Sequence, residues 1–240
     1  MSHPWPFMTN ACNDPRIVRG MTAQLTVRRQ LLDAGHKALG WKLAFGGPAA
    51  MERLGTNAPL VGFLSDRALL ASGSTVSLSG WTKPAAEPEI AVHIGKDLPG
   101  GTDRATAIAA IAGLGPAIEL ADVDHLSNDV EGTLARNIYQ RYVVLGAKNA
   151  RHAGGALESL TGRVIRNDVE IAKVTDFQAL TGELIDIVRN TANLLAAFGE
   201  KLEGGQVIIA GSIIPPLWVT SGEELAFRLE PVDTISVRFG

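Results

Sequence analysis

The sequence is poor in cysteine, in aromatic residues and in net charge, and each scarcity excludes a class of protein. The one cysteine among 240 residues, Cys12, cannot form a disulfide within the chain and offers no cysteine cluster for zinc. Aromatic residues make up 5%, too few for the stacking surfaces of single-strand nucleic-acid binders. The net charge of −3 and the pI near 6.0 provide no general attraction to phosphate backbones, so we do not expect nucleic acid to be a partner.

Long hydrophobic runs are also missing. The most apolar late stretch, residues 207–219, is interrupted by Gly211, Pro215 and Pro216 and is shorter than the ~20 residues of a membrane-spanning helix. Residues 1–7 have neither the basic start nor the apolar run of a secretion signal. We therefore expect a cytoplasmic protein with a reduced thiol and no membrane contact.

Glycine, proline and short alternating segments are abundant instead. With 26 glycines, 12 prolines and 46% hydrophobic residues, the chain can build a sizeable core from short strands joined by many turns. The spacing of apolar and small residues predicts helices at 17–39, 48–54, 102–112 and 182–202. Alternation predicts strands at 40–45, 61–64, 75–78, 88–94, 115–121, 142–145, 160–166, 169–175, 206–209, 224–229 and 234–239. We infer one strand-rich α+β domain without internal repeats.

The sharpest chemical signal is the Glu87-Pro88-Glu89 motif at the start of a predicted strand. Residues two apart on a strand point to the same face, ~6 to 7 Å apart, so both carboxylates face one way. A second predicted strand carries Glu119, and Asp122 follows it closely. Carboxylates gathered in a cavity repel each other unless a cation separates them, and oxygen ligands favour Mg²⁺, Mn²⁺ or Ca²⁺ over zinc. The alternative is that these glutamates line a solvated face of the sheet.

Lys42 is a second candidate for chemistry. It lies on the polar side of the predicted strand 40–45, whose other side carries Trp41, Leu43 and Phe45. A lysine next to a metal can transfer protons as a general acid or base. The alternative is an ordinary exposed lysine on a strand. We recognise no serine or cysteine triad and no phosphate-binding glycine loop.

Several short segments, taken in order, carry a family resemblance. They read GWKL from Gly40, GFLSD from Gly62, EPEIA from Glu87, IGKDL from Ile94, PAIE from Pro116, GS from Gly211 and ISVRF from Ile235. Over residues 40–240 the chain resembles the fumarylacetoacetate hydrolase superfamily, and within it the branch of 2-keto-4-pentenoate hydratases and 4-oxalocrotonate decarboxylases. The resemblance implies a mixed β-sandwich roll flanked by helices, usually assembled into homo-oligomers. Residues 1–39 would form an N-terminal arm and helix packed on the catalytic domain, residues 40–240.

The resemblance also implies a metal site and a proton-transfer group. Glu87, Glu89 and Glu119 match the three acidic metal ligands of the family, which would bind Mg²⁺ or Mn²⁺ here. Lys42 matches the lysine that serves as an acid or base in the hydratase branch.

Two further positions match residues near the family's active site, and one segment departs from the family pattern. Asp66 matches an acidic, catalytic position, and Ser212 matches a small hydroxyl residue close to the substrate. Hydratases commonly carry Thr-Ser shortly after the lysine segment, whereas this chain has Phe45-Gly46-Gly47. The catalytic histidine of the hydrolase branch has no match, which disfavours C–C hydrolysis.

The implied activity is that of a metal-dependent lyase acting on a small 2-oxo acid. The main expectation is hydration of 2-hydroxypenta-2,4-dienoate through a metal-stabilised enolate. Decarboxylation of the 4-oxalocrotonate type and C–C hydrolysis of an acylpyruvate type are alternatives, and a non-catalytic partner subunit of such an enzyme is another. Because the metal and the lysine are common to hydration and decarboxylation, these residues do not distinguish the two.

Overall fold

The computed structural model describes residues 13–124 and 128–240, so Cys12 lies outside the described residues. Its helices are α1 (Pro15–Asp33), α2 (Pro48–Leu54), α3 (Arg104–Ala110), α4 (Val130–Ala135) and α5 (Leu184–Ala197). Its strands are β1 (Ala38–Ala44), β2 (Leu60–Ser65), β3 (Leu69–Leu70), β4 (Ser74–Val76), β5 (Pro84–Ile94), β6 (Ile111–Asp122), β7 (Gln140–Leu145), β8 (Thr161–Arg166), β9 (Val169–Val174), β10 (Val207–Ser212), β11 (Leu217–Trp218), β12 (Glu224–Glu230) and β13 (Asp233–Phe239). Within these two described stretches, no helix has the length and hydrophobicity needed to cross a membrane.

The larger of two sheets holds most of the residues singled out for chemistry. Its strand order is β2-β1-β10-β5-β6-β7-β3, and β11 pairs with β5 outside this path. The β1–β10 and β3–β7 pairs are parallel, whereas the other neighbours are antiparallel. The strands β1, β10, β5 and β6 are therefore consecutive. They carry Lys42, Ser212, the Glu87 and Glu89 pair, and Glu119, respectively.

The smaller sheet has the order β4-β13-β12-β8-β9 and lies against β6. Phe227 and Ile235 of this sheet belong to the same hydrophobic core as Ile118 of β6. The predicted hairpin between β8 and β9 is confirmed: Asn167 and Asp168 at its turn have φ values of 49° and 62°, as a tight two-residue turn requires. The strand-rich α+β architecture predicted from the sequence is confirmed as well.

Three predicted helices end earlier in the structure: α3 stops at Ala110, where β6 begins, and a glycine explains each of the other two differences. Helix α1 stops at Asp33 because Gly35, at φ 91°, donates its N–H to the Leu32 carbonyl at 2.9 Å and closes the last turn. The chain then enters β1, so that residues 38 and 39 are strand. Helix α5 stops at Ala197 because Gly199, at φ 73°, forms the same kind of ending.

Helix α1 packs against β2 and α4. Met21 and Leu25 are buried in the core that also contains the central strands. Gln24 is buried beside them, and its side-chain nitrogen donates to the carbonyl oxygens of Val61 at 3.2 Å and Leu134 at 2.9 Å. These two hydrogen bonds connect the helix to β2, at one edge of the larger sheet, and to α4.

Candidate metal centre and active-site cavity

Antiparallel pairing of β5 with β6 builds a cluster of three carboxylates. The register places Glu87 directly opposite Glu119, and Glu89 follows two residues along β5 on the same face. Each of the three residues offers one carboxylate oxygen, and these oxygens all lie within 4.8 Å of one another. The structure therefore brings together the three glutamates singled out in the sequence.

These carboxylates are withdrawn from solvent. Glu89 is 1% exposed and Glu119 is 0% exposed, while Glu87 is half-buried and borders a cavity. The burial follows from position, because β5 and β6 lie inside the larger sheet and are buried along both faces. The interpretation of these residues as a solvated sheet face is therefore wrong.

Burial raises the pKa of all three carboxyl groups. It raises the pKa of Glu87 to about 7; the charge of Glu119 adds to the effect and that of Lys42 opposes it. Burial and the charges of Glu119 and Glu87 raise the pKa of Glu89 well above its usual range. Burial also raises the pKa of Glu119, although the ammonium of Lys42 counteracts it. A divalent cation would displace the protons that such a cluster retains.

The hydrogen bonds around the cluster leave one buried carboxylate oxygen without a partner. Lys42 Nζ donates to Glu119 Oε1, and the backbone N–H of Gly211 donates to Glu89 Oε2 at 2.7 Å. Glu119 Oε2 is buried and accepts no hydrogen bond from the described residues. An unpaired buried carboxylate oxygen is costly, and a set of oxygen donors suits a hard divalent cation. The residues present therefore fit Mg²⁺ or Mn²⁺.

Lys42 is buried next to this cluster. Its side chain is 1% exposed, so the interpretation as an exposed strand lysine is wrong. Besides the ion pair with Glu119, Nζ donates to the backbone carbonyl of Ile138 at 3.1 Å. Because an ammonium group has three hydrogens, one remains for a ligand in the cavity that Lys42 also lines.

The carbonyl that accepts from Lys42 belongs to a strained turn that the sequence patterns did not predict. Asn137, Ile138 and Tyr139 have φ values of 52°, 51° and 61°, a left-handed conformation that is costly for residues with a Cβ atom. Asn137 ties this turn to β2: its Oδ1 accepts from the N–H of Phe63 at 2.8 Å, and its Nδ2 donates to the Phe63 carbonyl at 2.9 Å. Asparagine tolerates this conformation, but nothing in the sequence marks Ile138 and Tyr139 for it.

A cavity of about 330 Å³ borders Lys42 and Glu87. Ser212 lines it too, and its Oγ donates to the carbonyl of Ile214 at 2.7 Å. Arg53 is the third charged residue of the wall. The remaining lining is largely apolar and includes Phe45, Pro59, Val123, Leu180, Pro215, Pro216 and Trp218. Charged groups within apolar walls are suited to a small organic acid.

Asp66 does not reach this cavity. It follows the end of β2, where β2 pairs with the start of β1, whereas Lys42 lies opposite Gly62 farther along the pair. Its carboxylate is exposed and lies 3.2 Å from Nδ1 of His36. The structure therefore groups Ser212, but not Asp66, with Lys42 and the glutamates.

The chain is similar to known proteins over most of its length. A family model described as fumarylacetoacetate (FAA) hydrolase C-terminal matches residues 42–239. The chain is 28% identical over 235 residues to 4-oxalocrotonate decarboxylase of Pseudomonas putida, an alignment covering 97% of this chain and 89% of the relative. It is 28% identical over 211 residues to 2-hydroxyhexa-2,4-dienoate hydratase of Comamonas testosteroni, covering 86% of this chain and 80% of the relative.

A solved structure has a similar fold. The 4-oxalocrotonate decarboxylase from Pseudomonas putida G7, complexed with magnesium and adipate, superimposes with a TM-score of 0.85 at 26% identity, covering 99% of this chain and 91% of the other. The same enzyme complexed with calcium and acetate gives a TM-score of 0.82 at 27% identity, covering 92% of this chain and 85% of the other. Strand-rich sheets with a few flanking helices are thus common to both proteins.

Proposed function

The chain belongs to the fumarylacetoacetate (FAA) hydrolase C-terminal family, and on that premise we propose that it is a divalent-metal-dependent hydro-lyase. Its substrates are small 2-oxo or 2-hydroxydienoate acids, with hydration of 2-hydroxypenta-2,4-dienoate-type compounds as the main reaction. The observation that carries the proposal is the convergence of three buried glutamates and a buried lysine beside one cavity. Relatives named 2-hydroxyhexa-2,4-dienoate hydratase and 2-keto-4-pentenoate hydratase support it.

In this proposal, Glu87, Glu89 and Glu119 hold Mg²⁺ or Mn²⁺. The unpaired Oε2 of Glu119 and the oxygen-only donor set support the assignment. When bound, the cation supplies positive charge beside the substrate oxygens on which negative charge develops during the reaction. The Gly211 N–H on Glu89 holds one of the ligand side chains in place before the cation arrives.

Lys42 is the proposed acid and base. Glu119 and the Ile138 carbonyl fix its Nζ from two sides, so the third N–H is directed without further ordering of the side chain. From this position Nζ delivers a proton to, or removes one from, a carbon of the substrate in the cavity. The apolar wall accommodates the carbon chain, and Ser212 lies close enough to the cavity to bind the substrate. Asp66, exposed and outside the cavity, has no part in this scheme.

The test is turnover of 2-hydroxypenta-2,4-dienoate by purified protein before and after removal of divalent metal. We expect a chelator to abolish the loss of dienoate absorbance, and Mg²⁺ or Mn²⁺ to restore it. Glu89→Gln, which removes one carboxylate but keeps the side-chain size, should not be restored at the same metal concentration. Full turnover without divalent metal would contradict the proposal.

Decarboxylation is the second candidate reaction. The chain is similar over almost its full length to 4-oxalocrotonate decarboxylases, and the same glutamates and lysine serve either reaction in this proposal. Supplying 4-oxalocrotonate and measuring released CO₂ distinguishes the two. Release of CO₂ without hydration of the dienoate would make the protein a decarboxylase, and metal binding without either reaction would indicate a non-catalytic partner subunit.

We further propose that the enzyme is a cytoplasmic homo-oligomer. The support is the family resemblance of the sequence, whose members usually assemble from identical subunits. Light scattering coupled to size-exclusion chromatography gives the molar mass directly, and a mass of one 25.3 kDa subunit would contradict the assembly.

A further inference from the structure

The wall of the cavity contains a cationic side chain that the proposed chemistry does not use. Arg53 lies in the last turn of α2, and its guanidinium carbon is 5.9 Å from the centre of the Phe45 ring. Both residues line the cavity. The side chain of Arg53 forms no ion pair or hydrogen bond with any described residue, so its five N–H donors are available to a ligand.

The other charged groups of the wall are already engaged. Lys42 forms a buried ion pair with Glu119, and Glu87 belongs to the carboxylate cluster. Within the described parts of the chain, Arg53 is therefore the one cationic residue of this wall without an ion pair in the protein. A guanidinium matches the two oxygens of a carboxylate in a bidentate arrangement better than any other side chain does.

The local backbone connects this arginine to the strand that carries the lysine. Phe45 follows β1 with a φ of 57°, which turns the chain out of the sheet, and α2 begins at Pro48 after two glycines. Lys42 and Arg53 thus belong to consecutive elements that border the same cavity. A ligand in that cavity can meet the glutamates and Lys42 with one part and Arg53 with another.

We propose that Arg53 is a specificity-determining residue that binds a second carboxylate at the far end of the substrate, so that, within the proposed substrate class, a diacid binds more tightly than the matching monoacid. The inference rests on the proposed function, in which the first carboxylate and the 2-oxygen lie at the metal end. The carbon chain then runs along apolar residues such as Leu180 and Ile214, and the far carboxylate pairs with Arg53. The contact with the Phe45 ring holds the guanidinium at the wall before the ligand binds.

Matched pairs of ligands test this inference without requiring turnover. 2-Oxoadipate and 2-oxohexanoate have the same chain length and differ in a terminal carboxylate against a methyl group; 2-oxoglutarate and 2-oxopentanoate form a shorter pair. We would measure the Kd of each by calorimetry, with saturating Mg²⁺ and again without divalent metal, for the wild-type chain, Arg53→Gln and Arg53→Lys. Arg67→Gln is the matched control, because Arg67 is exposed and does not line the cavity.

We expect the wild-type chain to bind the diacid of at least one pair about tenfold or more tightly than the monoacid, as one charge-assisted contact allows. Arg53→Gln should abolish this preference by weakening the diacid alone, Arg53→Lys should retain part of it, and Arg67→Gln should leave it unchanged. Equal binding of both acids by the wild-type chain, or a preference that survives in Arg53→Gln, overturns the role of Arg53 while the proposed function stands. If no acid binds in a Mg²⁺-dependent manner, the proposed function fails and this inference fails with it.

Discussion

Lys42 and Glu119 form a buried ion pair, and each member keeps some hydrogen-bonding capacity for a ligand. Lys42 uses two of its hydrogens on Glu119 and the Ile138 carbonyl, while Oε2 of Glu119 is buried and accepts no hydrogen bond from the described residues. Charges this deep in a protein persist only when paired, because desolvation costs several kcal/mol per ion. The pair therefore fixes an ammonium group and a carboxylate next to each other without exposing either to water.

Replacing Lys42 with methionine tests whether this residue acts in proton transfer and not in metal binding. We expect Lys42→Met to lower kcat by about 10² to 10⁴, the usual contribution of a general acid or base. The affinity for Mg²⁺ should change far less, because the three carboxylates remain. Steady-state kinetics and a Mg²⁺ titration measure the two effects, with the exposed Lys37→Met as control. An unchanged kcat would remove Lys42 from the mechanism.

His93 makes the stability of the fold sensitive to acid. Burial, with the charge of Lys148 adding to it, lowers the pKa of His93 to about 4, and its Nε2 is buried without a partner. In the unfolded chain the imidazole binds its proton near pH 6.5, so the contribution of His93 to stability is complete above that pH and is lost as the pH falls from about 6.5 toward 4.

Removing the imidazole should remove this part of the acid sensitivity. We expect the difference in Tm, His93→Leu minus wild type, to be larger at pH 5 than at pH 7.5. Thermal unfolding of both proteins in the same buffer series measures this difference. Taking the difference between the two proteins cancels the titration of groups that they share. If the difference in Tm is the same at both pH values, or is smaller at pH 5, His93 does not cause the acid sensitivity.

The turn at residues 137–139 positions the lysine. Asn137 makes two hydrogen bonds to the backbone of Phe63, and the next residue supplies the carbonyl that accepts from Lys42. Adding a Cβ at Gly62 would bring it within 2.9 Å of both Asn137 Oδ1 and Lys42 Cγ, so the three residues are in close contact. The turn and the lysine therefore depend on each other's placement.

Asn137→Ala tests this dependence. We expect kcat to fall roughly tenfold with little change in KM or in Mg²⁺ affinity, since one of the two groups that hold Nζ is loosened. Stability should fall by about 1 to 3 kcal/mol because two backbone groups of Phe63 lose their partners. Asn193→Ala is the control: it removes a side-chain hydrogen bond to the backbone of Gly101, outside the cavity. Equal losses of kcat in both variants would contradict a positioning role.

Sequence patterns predict the placement of side chains along one strand, but not the pairing between strands that builds the site. Alternation along single strands predicted that Glu87 and Glu89 share a face, and the structure places them so. Their burial was not predictable, because it arises from the strands on both sides rather than from the motif. The insertion of β10 between β1 and β5 is likewise a pairing between segments more than 100 residues apart. Local patterns carry no information about such pairing, which brings Ser212 and Gly211 to the glutamates.

Helix α1 contributes buried residues to the core of the molecule. Arg28 of this helix is buried, lies 4.9 Å from the ring centre of Trp41, and pairs with Glu200 at 2.8 Å. The Trp41 Nε1 donates to Gln206 Oε1 at 3.0 Å. The helix, β1 and the segment before β10 are thus linked by contacts that lie directly behind Lys42 on β1. The separation of an N-terminal arm from a catalytic domain stays a prediction of the sequence.

Gly20 lies in the contact between α1 and α4 and can be used to test how tightly the two helices pack. Helix propensity alone predicts that Gly20→Ala stabilises the protein by about 1 kcal/mol. A Cβ at this position would, however, lie 2.7 Å from Leu134 Cβ and 2.9 Å from the Glu131 carbonyl oxygen, so α1 and α4 must separate. We expect a net loss of about 1 to 3 kcal/mol in urea unfolding, as in other overpacked sites. An increase in stability would mean that the contact between the two helices is loose.

Glu119 is shared between the two halves of the proposed chemistry: it accepts a hydrogen bond from Lys42, and one of its oxygens lies within 4.8 Å of carboxylate oxygens of Glu87 and Glu89. In a library of variants selected for growth on the substrate, we therefore expect substitutions to survive more often at Glu87 than at Glu119. Loss of Glu87 weakens metal binding alone, whereas loss of Glu119 removes both a metal ligand and the partner of the proton donor Lys42.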